Sequence, residues 1–140
     1  MERCKIIIDT NLWISLLIGK RLSEMRALCN SEKILVYICE ELMIEFARIA
    51  SCEKIRKYVS EERTKETMSL MKSSCIEIPI KNTVVAPQLR DVNDLYLLSL
   101  ADAMQADYIL TGDKDLLTLQ FHNRTKIVTY NEFVMFLHKK

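Results

Sequence analysis

Four acidic residues stand where chemistry could be built. Asp9 closes the apolar run of IIIDTN, and Asp113 follows YILTG. Asp94 opens an apolar stretch after a long polar segment, and Glu45 lies within EELMIEFARIA. In open α/β sheets the working groups gather outside the carboxyl ends of the strands, so Asp9 and Asp113 share a crevice if the runs before them are neighbouring strands. Asp94 and Glu45, each on a helix that follows, could overhang it. Four carboxylates converging in a partly dry site repel one another, and a cation relieves that repulsion. All-oxygen ligation selects hard ions, Mg²⁺ or Mn²⁺. Each residue also has a plainer use. Asp9 could cap the next helix, Asp113 and Asp115 could serve the turn around Gly112, and Asp94 could be a first-turn acid favoured by the helix dipole. Glu45 could be a solvated helix glutamate, with Glu41 one turn earlier competing for its role.

Placing these residues requires strands and crossovers. Residues 4–8 are a short β-branched run that reads as a buried strand. Residues 11–18 and 22–31 read as two helices broken at Gly19, and 34–38 as a second strand. Residues 40–50 put Leu42, Phe46 and Ile49 on one helical stripe, with Glu41 and Glu45 beside it. Ser60 caps the next helix, whose first turn carries Glu61 and Glu62 and whose apolar face carries Met68, Met71 and Cys75. Ile76, Ile78 and Ile80 alternate in a third strand, and Pro79 argues that it lies at a sheet edge. Residues 81–93, with Pro87, read as a loop, and Asp94 starts a helix bearing Leu97, Leu98, Ala101 and Met104. Residues 108–111 form a fourth strand, 115–119 one helical turn and 126–128 a fifth strand; Thr129 and Glu132 form a capping box before a last helix. Strands separated by helices need crossovers, so the expected architecture is a single three-layer α/β/α sandwich over residues 1–140 with a mainly parallel sheet of about five strands.

Composition narrows the partners. The chain has 140 residues, 49% of them hydrophobic, enough to bury a core. Lys plus Arg number 20 against 19 Asp plus Glu, so any contact with a polyanion must use a local patch. Lys54, Arg56 and Lys57, with Arg48 nearby, are such a patch, although a solvated helix face explains them as well. Trp13 or a tyrosine could stack on bases, but core packing suits Trp13 better. The five cysteines are odd in number and form no CxxC pair, which suits small buried hydrophobes in a reducing, cytoplasmic setting. No segment approaches the roughly 20 apolar residues of a membrane-spanning helix.

Three segments also resemble a known family. IIIDTNLWIS looks like the opening of PIN-domain nucleases, and EELMIEFARIA resembles their glutamate-bearing helix. RDVNDLYLLSLADAMQADYILTGDKDLL is similar to their long C-terminal signature. The resemblance spans nearly the whole chain and is nearest to the VapC-like group, described as toxins of toxin–antitoxin pairs. It implies an acidic quartet of Asp9, Glu45, Asp94 and Asp113, with Asp115 as a candidate fifth member. Thr10, Asn11, Ser15 and Thr111 would be polar neighbours holding a metal-bound water or a carboxylate. The activity implied is an Mg²⁺- or Mn²⁺-dependent endoribonuclease that hydrolyses phosphodiester bonds without a side-chain nucleophile. A small cognate antitoxin and a homodimer or higher assembly are implied with it. The chain departs from the family at Cys39, where relatives often have serine, and at Val92 and Asn93, which replace a Pro-containing stretch. Two other readings compete: a catalytically silent PIN-like module that binds RNA or protein, and a phosphoacceptor signalling domain. The second needs an aspartate directly after the third strand, where Lys81 and Asn82 stand.

Overall fold

Three consecutive isoleucines set the centre of the molecule. In a strand, neighbouring side chains point to opposite faces, so an unbroken apolar run is stable only where both faces are covered. In the computed structural model, which describes residues 3–80 and 95–138, Ile6, Ile7 and Ile8 of β1 (Cys4–Ile8) are all 0–1% exposed. Burying side chains of this size contributes roughly 1.5–3 kcal/mol each.

β1 lies between β2 (Ile34–Ile38) and β4 (Tyr108–Leu110), parallel to both. The sheet has six strands in the order β3-β2-β1-β4-β6-β5. From β1 the chain travels one way, through α1 (Thr10–Ile18) and α2 (Leu22–Cys29) to β2. It continues through α3 (Glu40–Ala50), α4 (Glu53–Arg56) and α5 (Glu61–Ser74) to β3 (Ile76–Glu77). It then returns across the sheet, through α6 (Leu95–Met104), to β4 on the other side of β1. Because crossovers between parallel strands are almost always right-handed, connections running in opposite directions lay helices on both faces of the sheet. α7 (Lys114–Leu119), β5 (Phe121–His122), β6 (Thr125–Val128) and α8 (Tyr130–His138) complete the described chain.

The sheet differs from expectation at both ends. The third strand pairs with β2 for only two residues, Ile76 and Glu77, before a single further bond from the Ile78 amide to the Ile38 carbonyl at 3.0 Å. Its edge position agrees with Pro79, which has no amide hydrogen to donate to a ladder. The residue after this strand is therefore Ile78, again no aspartate, while Lys81, Asn82 and the expected loop fall outside the described residues. At the other edge a sixth strand, β5, turns back onto β6 as an antiparallel hairpin with His122 opposite Thr125. Asn123 in its turn takes φ 53°, a left-handed conformation that asparagine tolerates. The short helix α4 was likewise not expected from the sequence pattern.

Helix ends follow local chemistry. The Ser60 hydroxyl accepts from the Arg63 amide at 3.1 Å. Thr129 and Glu132 close a reciprocal capping box, each amide donating to the other's side chain at 3.1 Å. Trp13 is fully buried and has no face free for a base. Among the described residues no helix is long and apolar enough to cross a membrane.

Urea melts of Ile7→Ala and Ile44→Ala test this arrangement. Ile7, 0% exposed in the central strand, should lose about 2–5 kcal/mol on truncation. Ile44, 60% exposed on α3, should change stability by less than about 0.5 kcal/mol. Equal losses at the two sites would contradict the placement of β1.

Candidate active site

Parallel pairing brings the expected aspartates together. Ile8 is in register with Leu110, and the Asp9 amide donates to the Leu110 carbonyl at 2.9 Å. The strand order reverses between β1 and β4, and such a reversal is where open α/β sheets form a crevice outside the carboxyl ends of the strands. Thr111 spans it. Its hydroxyl donates to Asp9 Oδ2 at 2.7 Å and accepts from the Asp113 amide at 3.0 Å.

Asp9 is 2% exposed. It occupies the N-cap position of α1, yet its side chain closes no cap hydrogen bond. Burial is the main reason its carboxyl titrates above the ordinary 3.8. The Thr111 hydroxyl and the nearby amides of Asn11 and Thr10 pull the other way, while the Asp113 charge adds to the rise. No salt bridge joins Asp9 to a cationic side chain among the described residues.

Asp113 does serve its turn. Its Oδ1 accepts from the amides of Asp115 at 2.8 Å and Leu116 at 3.3 Å, capping α7. The cap engages only Oδ1, so this plainer use leaves the second carboxylate oxygen available. Gly112 adopts no positive φ, and a Cβ there would meet nothing within 4 Å. The turn therefore does not need glycine, and its smallness leaves the approach to Asp113 open. Asp115 is half-buried in the first turn of α7.

Glu45 reaches the same neighbourhood from α3. It is 19% exposed and accepts from Arg48 Nη2 at 2.8 Å. Its charge, after burial itself and along with those of Asp9 and Cys39, holds the Tyr96 hydroxyl well above its ordinary range. Glu41, with Glu40, Glu77, Ile78 and Pro79, lines an open cleft of about 420 Å³ at the sheet edge and also acts on the Cys39 thiol. Cys39, at the start of α3, makes no side-chain cap, and burial pushes its thiol up to about 12.

Tyr96 is a residue that motif spacing does not single out. It is 7% exposed in the first turn of α6, and its hydroxyl pairs with Thr10 Oγ1 at 2.7 Å. The available signal is a lone phenol in the apolar run LYLLSL, because a buried tyrosine hydroxyl needs a partner. Thr10 and Thr111 are thus buried and engaged, whereas Asn11 and Ser15 are exposed on α1 and make no side-chain hydrogen bond among the described residues. Lys54 and Lys57 are exposed and Arg56 is half-buried, on or beside α4.

Asp94 lies outside the described residues. Among those described, no three His, Cys, Asp or Glu side chains stand close enough to hold a metal ion. The chemistry of the donors nevertheless fits a hard divalent cation: carboxylate oxygens, one of them desolvated, with a second like charge beside it and no cationic side chain between them.

Comparison with known proteins agrees with this fold. The chain is 29% identical to an uncharacterized protein of Methanocaldococcus jannaschii, with 94% of this chain and 90% of that protein aligned. Its fold resembles the PIN domain of T. brucei RRP44 with a TM-score of 0.56 at 14% identity, over 99% of this chain and 83% of that one. The family model for the PIN domain matches residues 5–115, a span that runs from β1 to the first turn of α7. The chain belongs to the PIN domain family.

Proposed function

We propose that the chain is an Mg²⁺- or Mn²⁺-dependent endoribonuclease whose acidic site is built from Asp9, Asp113, Glu45 and Asp94, with Asp115 as a further ligand. The observation that carries this reading is the buried Asp9 carboxylate, set beside Asp113 at the switch point of the sheet without a cationic partner among the described residues. Such a charge is costly to hold in the folded state and is justified by a ligand that neutralises it.

Each residue then has a task. Asp9, tethered by Thr111, is the central ligand, and Asp113 offers the oxygen its cap leaves free. Arg48 orients Glu45, and the Thr10–Tyr96 pair braces the turn after β1. A bound divalent ion supplies Lewis-acid polarisation of the phosphate and a more acidic water. Lys54, Arg56 and Lys57 are the phosphate contacts we assign to the RNA. RNA as substrate, the toxin role, a small antitoxin and self-association rest on the sequence resemblance to VapC-like proteins. Growth arrest on expression of the wild type but not of Asp9→Asn supports the toxin role, and unaffected growth with active enzyme removes it.

Two outcomes follow for the site. Asp9 binds its proton more tightly folded than unfolded, so the stability it lends is complete below about pH 3.8 and is lost as the pH rises through its higher native value. In EDTA at neutral pH, Asp9→Asn should therefore melt above the wild type, and the difference should shrink on acidification. A variant melting below the wild type at neutral pH contradicts the uncompensated charge. With Mn²⁺, Asp9→Asn and Asp113→Asn should each lower kcat/KM for RNA on the order of 10²–10³-fold. Asparagine keeps the α7 cap, so that loss reports charge and not folding. Glu41→Gln should stay within about threefold of the wild type, and EDTA should abolish cleavage. RNA binding that survives EDTA without any cleavage would favour the silent module.

A further inference from the structure

Two of the five cysteines are placed for a reaction that the acidic site does not use. Cys29 is the last residue of α2, and Cys75 is the C-cap residue of α5, immediately before β3. They are 46 positions apart in sequence, yet their sulfurs lie 3.8 Å apart in a hydrogen-bonded thiol pair. A disulfide needs about 2.05 Å, so closure requires roughly 1.8 Å of movement. Both residues sit where helices end, and the last turn of a helix yields more readily than its middle. Cys39 is sealed at the start of α3, and the Cys52 thiol donates to the Arg48 carbonyl at 3.4 Å.

We infer that Cys29 and Cys75 form a peroxide-sensitive dithiol that oxidises to an intramolecular disulfide, stapling the end of α2 to the junction of α5 and β3. The pair divides its roles. The hydrogen bond from Cys75 lowers the Cys29 pKa, and the nearby Arg26 charge assists against the opposing effect of burial. The same hydrogen bond, with burial and the Cys29 charge, pushes the Cys75 thiol far above its ordinary range. Cys29 is therefore the more acidic of the two thiols, the one that reacts first as thiolate, and Cys75 the hydrogen-bond donor. Arg26 also lines an open groove of about 520 Å³ with Glu62, Lys65, Ser69, Leu70 and Ser73, and Cys75 is only half-buried, so the pair is not sealed from solvent.

The reaction balances with one peroxide. The Cys29 thiolate attacks a peroxide oxygen, forming S–O and breaking O–O; the expelled hydroxide takes up a proton and leaves as water. Cys75 sulfur then attacks Cys29 sulfur, forming S–S and breaking S–O, and its thiol proton leaves with the hydroxide as a second water. Two thiols are oxidised and one peroxide is reduced to two waters. The closed ring contains β2, α3 with Glu45, α4 and α5, and the bridge forms whether or not the acidic site is a nuclease.

The test uses the full chain, treated with hydrogen peroxide and then alkylated under denaturing conditions. The expected result is a mass loss of about 2 Da before alkylation. Three of the five cysteines should then alkylate, with one cross-linked peptide joining Cys29 to Cys75. The oxidised protein should melt about 5–15 °C higher, and dithiothreitol should reverse the shift. Cys75→Ser should abolish the shift and Cys52→Ser should retain it. Five alkylated thiols, a bridge through Cys52 or between molecules, or a gain of about 32 Da from sulfinic acid at Cys29 would each overturn the inference.

Discussion

The hydrogen bond from Thr111 to Asp9, 2.7 Å long and buried, ties the carboxyl end of β4 to that of β1. Everything proposed for the site depends on the constraint behind it, a carboxylate held at 2% exposure in the centre of an apolar sheet. One hydroxyl and two nearby amides recover part of its lost hydration, and burial still dominates its titration. The Asp113 charge adds to the strain. A fold that keeps such a group gives up stability where it acts, as functional sites commonly do.

The surrounding structure absorbs that cost. β1 is covered on both faces, and α1 starts directly from Asp9, so neither the strand nor the carboxylate can swing into solvent without disturbing Ile6, Ile7 and Ile8. Thr10 is held to Tyr96 across 86 residues of sequence, which fixes the start of α6 against the turn after β1. Asp113 is fixed by its duty as a cap. Asp9 and Asp113 are thus held in place by the fold itself, and a site ordered in advance would spend little binding energy on ordering.

Much of this was legible in the sequence because the signals were local and strong. IIIDTN announces a central strand closed by an acid, YILTGD a second, and the crossovers between them dictate parallel pairing. The capping box at Thr129 and the edge strand at Pro79 were readable for the same reason. What the sequence left open was short or long-range. β5 holds two residues, too few for any periodicity, and depends on its pairing with β6. Choosing between Glu41 and Glu45 requires the rotation of α3 against α6, and the pairing of Tyr96 with Thr10 requires the tertiary fold. Asn11 and Ser15 share a face of α1, but it is the exposed one.

Diffraction from crystals grown with Mn²⁺, measured at a wavelength where manganese scatters anomalously, would locate a cation between the two aspartates. An anomalous peak coordinated by Asp9 and Asp113 is expected, with metal–oxygen distances of about 2.1 Å, the range of small hard cations. Well-ordered Asp9 and Asp113 carboxylates with no peak between them, at an Mn²⁺ concentration that supports RNA cleavage, would contradict it.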